Sequence, residues 1–94
     1  MQSSEFSWAW VTGDRLLTNK PCELVYAHLV SSGASTGTIL YNGTDTKGDE
    51  INNLADAAAG SDDFNPRVPV YCAKGLYIAV GSNFTGCFVV WRHV

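Results

Sequence analysis

The sequence predicts an all-β fold, a small antiparallel β-sandwich that is jelly-roll-like and has about seven to eight strands. Segments rich in β-branched and aromatic residues alternate apolar and polar positions, which is typical of half-buried strands. Glycine, asparagine, aspartate and proline separate these segments at a spacing of roughly 8–12 residues. The chain has 94 residues, of which 46% are hydrophobic, and this indicates one domain spanning residues 1–94.

The first strand is predicted to carry a strongly aromatic face. Residues 1–5 are polar and are interpreted as a flexible N-terminal arm. Phe6, Trp8 and Trp10 then alternate with smaller side chains, as the two-residue period of a strand requires. After a glycine–aspartate break, residues 15–18 are predicted to form a second, short strand.

The next two predicted strands cover residues 22–30 and 36–41. A loop of small residues separates them, and an Asn-Gly sequence after the second strand begins a long turn. Simple alternation divides the first of these strands into two faces. One face is expected to carry Leu24, Tyr26, His28 and Val30, and the other Val25, Ala27 and Leu29.

Residues 49–59 fit either a helix or an irregular strand. The spacing of one helix face is shared by Ile51, Leu54, Ala55 and Ala58. The surrounding β pattern favours an extended segment, so both conformations stay open. Residues 60–63 are predicted to form a loop. Residues 68–72 are predicted to lie at a sheet edge or at the start of a strand, because their proline cannot donate to a hydrogen-bond ladder.

The last segment, residues 75–91, is predicted to form a β-hairpin, two strands joined by a short turn. Glycine and asparagine at residues 81–83 supply the turn. The residues expected to close the core are Leu76, Ile78, Val80 and Val89. The second strand is expected to place Cys87, Val89 and Trp91 on one face and Phe88 and Val90 on the other.

Composition excludes several classes of function. The net charge is −3 and the six basic residues are scattered, which argues against nucleic-acid binding. No segment approaches the ~20 apolar residues of a membrane span, and the N-terminus lacks a signal-peptide pattern, so the interpretation is a protein made in a cytoplasm. Charged residues form 16% of the chain, against a typical ~25%, and such a neutral surface suits packing against other proteins.

No motif predicts catalysis, a cofactor or a metal site. His28 and His93 lack a carboxylate at metal-ligand spacing and are interpreted as structural or surface residues. The carboxylates group in turns, where solvated side chains are favoured over a calcium site. Cys22, Cys72 and Cys87 are interpreted as buried free thiols. A bridge between the last two stays open at this point.

Aromatic side chains are the strongest functional candidates, since they form 12% of the chain. Tryptophan and tyrosine are enriched at protein interfaces, where they remove a large apolar area from water. The residues predicted to contact a partner are Phe6, Trp8, Trp10, Tyr77, Phe84, Phe88 and Trp91. A carbohydrate-binding platform is the alternative. It is less favoured, because the sequence shows no obvious group of Asp, Asn and Arg beside these rings.

Between residues 22 and 91 the chain resembles a family of small bacteriophage structural proteins. The resemblance is carried by Glu23-Leu-Val-Tyr-Ala-His-Leu-Val with its small-residue loop, Thr38-Ile-Leu-Tyr-Asn-Gly-Thr-Asp-Thr-Lys-Gly48, Val68-Pro-Val, Lys74-Gly-Leu-Tyr-Ile-Ala-Val80 and Val89-Val-Trp91. The tryptophan-rich first strand and the cysteines depart from the family pattern.

The resemblance implies a small β-sandwich that is part of a virion and has no enzymatic activity. The leading hypothesis is a capsid decoration (cement) protein, made in the host cytoplasm, that binds the major capsid protein or other virion proteins and stabilises the head shell. A homo-oligomer, for example a trimer, is expected, with no nucleic-acid or membrane partner. The alternatives are a head–tail or tail accessory subunit, such as an adaptor or fibre, and a carbohydrate- or receptor-binding module.

Overall fold

A computed structural model describes residues 6–56 and 60–94 of the chain. The predicted arm at residues 1–5 and the end of the ambiguous segment, residues 57–59, lie outside the described residues. Within the described part the chain forms nine strands and no helix. They are β1 (Ser7–Val11), β2 (Arg15–Thr18), β3 (Cys22–Ser31), β4 (Ser35–Asn42), β5 (Asp49–Asp56), β6 (Gly60–Phe64), β7 (Val70–Cys72), β8 (Leu76–Ala79) and β9 (Phe84–His93).

The strands form two antiparallel sheets, an arrangement compatible with the predicted β-sandwich. Sheet I has the order β1-β9-β3-β6, and β7 also pairs with β3. Sheet II has the order β2-β8-β4-β5. The prediction of an all-β fold is therefore confirmed.

One hydrophobic core contains buried side chains from both sheets. Burial alternates along the strands because successive side chains point to opposite faces of a sheet. Sheet I contributes Ala9, Val11, Cys22, Leu24, Ala27, Leu29, Cys72, Cys87, Val89 and Trp91, and sheet II contributes Leu40, Leu54, Leu76 and Ile78. Of the predicted core residues, Leu76, Ile78 and Val89 are fully buried, and Val80 packs against the cluster from a half-buried position.

The last two strands do not pair with each other, so the predicted C-terminal hairpin is wrong. β8 pairs with β2 and β4 in sheet II, whereas β9 pairs with β1 and β3 in sheet I. The turn between them therefore carries the chain from one sheet to the other. Its Asn83 has a positive φ of 52°, accepts from the Ser32 backbone N–H at 2.9 Å and donates to the Ala34 carbonyl at 2.7 Å. Strand–turn–strand sequences look alike whether or not the two strands are neighbours.

A β-bulge at Val25 reverses the alternation predicted for β3. Leu24 pairs with Trp91 and Tyr26 with Val90, so one extra residue of β3 lies between these two pairs. Such an insertion moves each residue after it to the opposite face of the strand from the one that simple alternation predicts. Leu24 is consequently buried together with Ala27 and Leu29, and it does not share a face with Tyr26, His28 and Val30 as predicted.

Two segments in the middle of the chain are strands. The ambiguous segment is extended over Asp49–Asp56 and pairs with β4, which decides against the helix. Residues 60–63, predicted as a loop, belong to β6 and pair with β3. The polar composition of β6 fits its position at the edge of sheet I, where half of its side chains face water.

Candidate interaction surface

The outer face of sheet I carries the most exposed aromatic side chains of the described chain. Ala9 and Val11 point into the core, so the alternate residues of β1 point outward. Trp8 is 66% exposed and Trp10 45% exposed, and Phe6, just before the strand, is 56% exposed. Three large rings therefore meet solvent along one edge of the sheet.

Neighbouring strands extend this surface across the sheet. Trp10 of β1 is paired with Phe88 of β9, which is paired in turn with His28 of β3. A parallel row joins Trp8, Val90 and Tyr26. Rows of this kind bring side chains on one face into contact across strands. We use the name aromatic face for six of the ring-bearing residues on this side of sheet I, Phe6, Trp8, Trp10, Tyr26, His28 and Phe88.

The rings contact one another in tilted and stacked arrangements. The centroids of Trp8 and Phe88 are 5.8 Å apart, with their planes inclined by 39°. Tyr26 stacks on His28 at 6.3 Å and 13°. Both separations fall in the range in which aromatic pairs attract each other beyond simple area burial. These contacts limit the motion of the side chains. Less side-chain conformational entropy would therefore be lost when a partner binds.

One polar pair lies beside Phe6. The Arg92 Nε donates to the Glu23 Oε1 at 2.7 Å, and these residues are directly paired on β9 and β3. The Arg92 guanidinium carbon also lies 5.7 Å from the centroid of the Phe6 ring, within reach of a cation–π interaction. The ion pair is partly shielded from water. It places a positive and a negative charge at the border of the aromatic face, and each charge neutralises the other.

A second polar pair lies at the other side of the sheet, where the His28 ring nitrogen Nδ1 bonds to the Asp63 carboxylate. Asp63 belongs to the edge strand β6 and is the register partner of His28. Burial and the nearby Asp63 carboxylate raise the pKa of the Tyr26 phenol, which keeps that hydroxyl protonated as a hydrogen-bond donor. Polar donors and acceptors therefore flank the rings on two sides.

The sequence-predicted contact residues occupy different places. Phe6, Trp8, Trp10 and Phe88 come together on the aromatic face. Trp91, only 6% exposed, belongs to the core, so it is not available to a partner in this structure. The remaining two are half-buried elsewhere. Tyr77 lies on sheet II with its ring 6.5 Å from that of Tyr41, and Phe84 packs against the core at the start of β9.

Sequence reasoning did not select Tyr26, His28, Asp63, Glu23 and Arg92 as members of this surface. The bulge at Val25 concealed that Tyr26 and His28 point outward, because simple alternation placed them on the same face as Leu24, which lies in the core. Asp63 was assigned to a loop. Only the pairing of β3 with β6 and β9 brings these residues beside the rings.

Other kinds of site find little support in residues 6–56 and 60–94. No three His, Cys, Asp or Glu side chains there group as metal ligands, and no cavity opens in that part of the structure. His93 contacts Thr18, with 2.9 Å between Nε2 and Oγ1. No helix of the described chain has the length and apolar character needed to cross a membrane.

The chain matches no protein-family model, no curated protein and no solved structure. The evidence for its function is therefore its sequence and the surface formed by the described residues. The aromatic face is the largest group of exposed rings on that surface, and two polar pairs border it.

Proposed function

We propose that this chain is a non-enzymatic structural protein of a bacteriophage virion, a capsid decoration protein whose aromatic face binds the head shell. The observation that carries the proposal is the exposure of Phe6, Trp8 and Trp10 together on one sheet of a domain whose described part has no cavity. The sequence resemblance to small phage structural proteins supplies the virion context. The proposed partner is the major capsid protein, and the protein acts as a homo-oligomer in the virion.

The physical character of the aromatic face supports binding to protein. Tryptophan, tyrosine and arginine dominate the energetics of protein interfaces because they desolvate large areas and retain polar contacts. Here tryptophans lie at one side, while the Arg92–Glu23 and His28–Asp63 pairs lie at the border. Paired charges at the border cost less to desolvate than isolated ones, since each already has a partner.

The pairing of strands supports the jelly-roll form of the sandwich, which we propose as the finer fold. A jelly roll results when a long hairpin of eight strands, paired first with last and so on inward, wraps into two sheets. With the three-residue β7 set aside, the pairs β1·β9, β2·β8, β3·β6 and β4·β5 follow that scheme. Jelly rolls are common in viral capsid and lectin domains, which is an argument by fold analogy.

The test is a binding assay with undecorated capsids of the phage that encodes the chain. The purified protein should pellet with these shells and raise the temperature at which they disrupt. Trp8→Ala removes an exposed ring without touching the core and should abolish or greatly weaken pelleting. Leu16→Ala is the matched control, because Leu16 is exposed on sheet II, away from the aromatic face.

Two results would overturn the decoration role. Wild-type protein that neither pellets with shells nor protects them from heat would remove it. A copy number of about a dozen per virion, instead of hundreds, would point to a head–tail or tail accessory subunit.

A carbohydrate- or receptor-binding module is the second candidate, and the polar pairs beside the rings favour it. Sugar recognition combines a flat aromatic surface with hydrogen-bonding side chains. Arg92, Glu23, His28 and Asp63 supply such side chains, although they form no obvious group in the sequence. Glycan-array binding that disappears in Trp8→Ala would favour this module. An array without signal, together with capsid pelleting, would favour decoration.

A further inference from the structure

Two of the three cysteines face each other across neighbouring strands. Cys22 of β3 and Cys72 of β7 are register partners on the inner face of sheet I, where both belong to the hydrophobic core. Both side chains are fully buried, and all three cysteines of the chain are free thiols. Directly paired residues on antiparallel strands have Cβ atoms roughly 4.5–5.5 Å apart, so a disulfide with its ~3.5–4.5 Å needs only a small approach.

We propose that Cys22 and Cys72 are a disulfide-forming pair, a covalent modification site that fastens the short strand β7 to β3. The two residues need no change of strand register to form the bond, because pairing of the strands already places them opposite each other. The bond would close a loop that contains the rest of β3 and all of β4, β5 and β6. This inference does not depend on the proposed virion function.

The third cysteine is too far away to compete. Cys87 lies six residues along β9 from His93, the register partner of Cys22, which is roughly 20 Å at ~3.4 Å per residue. A bridge between Cys72 and Cys87, left open by the sequence, is therefore excluded by the geometry. Burial also raises the pKa of the Cys87 thiol to about 11, which keeps it protonated and unreactive near neutral pH.

The proximity of the two thiols also indicates the order of reaction. The neighbouring Cys22 thiol, acting as a hydrogen-bond donor, lowers the pKa of Cys72, while the same interaction and burial raise the pKa of Cys22. Cys72 is therefore the thiol that ionises first. Because the thiolate is the nucleophile in thiol–disulfide exchange, Cys72 is the residue that attacks an external disulfide.

The reaction balances with a small disulfide such as oxidised glutathione. The Cys72 thiolate attacks one sulfur of that molecule, breaks its S–S bond and releases one glutathione thiolate, which takes up the proton that Cys72 lost. The Cys22 thiolate then attacks Sγ of Cys72 in the mixed disulfide and releases the second glutathione, which takes up the proton from Cys22. The two protein thiols are oxidised, and one oxidised glutathione is reduced to two thiols.

Local opening of β7 gives the oxidant access. β7 has three residues, and among the described residues it pairs only with β3, so its other edge has no strand beside it. Its central residue, Tyr71, is exposed. Short strands with few buried contacts open at much lower free energy than the whole domain unfolds. β3, in contrast, stays held by β9 along nearly its full length.

The test is mass mapping of the full chain after equilibration in glutathione buffers. In reduced buffer, denaturation in iodoacetamide should label all three cysteines. In oxidised buffer, the mass of the unlabelled protein should be lower by two hydrogens than in reduced buffer. Only Cys87 should then be labelled, and digestion should give a disulfide-linked peptide pair that contains Cys22 and Cys72. Three labels in oxidised buffer, a link to Cys87 or a persistent mixed disulfide would overturn the proposal.

Two variants distinguish a specific disulfide between Cys22 and Cys72 from nonspecific oxidation of the cysteines. Cys72→Ala should lose the intramolecular link completely, whereas Cys87→Ala should form it as the wild type does. A link that survives Cys72→Ala would contradict the assignment. Because the mapping of wild-type protein needs no variant, the proposal remains testable even where a substitution prevents folding.

Discussion

The indole of Trp10 on β1 lies directly over Gly86 on β9. A Cβ placed on Gly86 would be 2.1 Å from the Trp10 Cζ2, which is far inside van der Waals contact. Trp10 is paired with Phe88, so Gly86 is its diagonal neighbour on the same face. An aromatic ring that covers a strand glycine shields backbone that would otherwise be exposed. The absence of a side chain at Gly86 therefore sets the direction of the Trp10 ring.

Gly86→Ala should displace the Trp10 ring with a modest change in stability. The clash is with the outer part of a partly exposed side chain, which can rotate away, so we expect a change of about 1 kcal/mol or less in the free energy of unfolding. Capsid pelleting should fall because the aromatic face changes shape. NMR of the indole N–H groups should show one strongly shifted tryptophan signal, and urea denaturation measures the stability.

Gly13→Ala is the matched control for that substitution, because a Cβ on Gly13 meets nothing within 4 Å. It should leave the indole spectrum and the pelleting unchanged. An unshifted Trp10 signal in Gly86→Ala would contradict the proposed role of the glycine.

Val89→Asp should unfold the protein. Val89 is fully buried near the middle of β9, which lies between β1 and β3 in sheet I. A buried carboxylate without a partner costs several kcal/mol, about 3–5 by analogy with broken buried pairs. Circular dichroism and gel filtration should show loss of the folded state. Val90→Asp, one residue away on the outer face, should remain folded, and a folded Val89→Asp would mean that the inner face of β9 is misassigned.

Stability should decrease as the pH rises from about 9 to 11, in part because of Cys87. Burial raises the pKa of this thiol from 9.0 to about 11 in the folded state, so between these values the unfolded chain releases a proton that the folded chain retains. The stabilisation is complete below pH 9 and disappears as the pH passes 11, with a total of about 3 kcal/mol. Urea titrations of the wild type and Cys87→Ala at both pH values isolate this contribution.

In that comparison, Cys87→Ala should show a smaller loss of stability over the same pH range. Equal losses in the two proteins would mean that Cys87 ionises as freely in the folded state as in the unfolded chain.

Oxidation of the Cys22–Cys72 pair should stabilise the fold. The bond closes a loop of about 50 residues, and the chain-entropy model assigns such a loop a stabilisation of about 4 kcal/mol, which native strain reduces. The melting temperature should therefore rise in oxidised buffer and return to its value in reduced buffer when a reductant is added. Cys72→Ala should show the same melting temperature in both buffers.

Local patterns in the sequence determined much of the candidate surface. The two-residue alternation of Phe6, Trp8 and Trp10 with buried neighbours predicted an aromatic face, and the structure exposes these rings. The same period correctly separated the two faces of β9. Burial along a single regular strand can be predicted because each side chain's direction follows from that of the residue before it.

Only the tertiary structure decided which strands are neighbours. Nothing in the C-terminal segment distinguishes a paired hairpin from a crossing between sheets, and the single extra residue at Val25 reverses a face without a local signal. The contact of Cys22 with Cys72 and that of His28 with Asp63 likewise join residues far apart in the chain. Sequence determined the all-β character and the exposed rings of this protein, because strand propensity and alternation act between adjacent residues. The assembly of those rings with their polar partners depended on sheet order, because register and bulges are set by the packing of distant segments on one core.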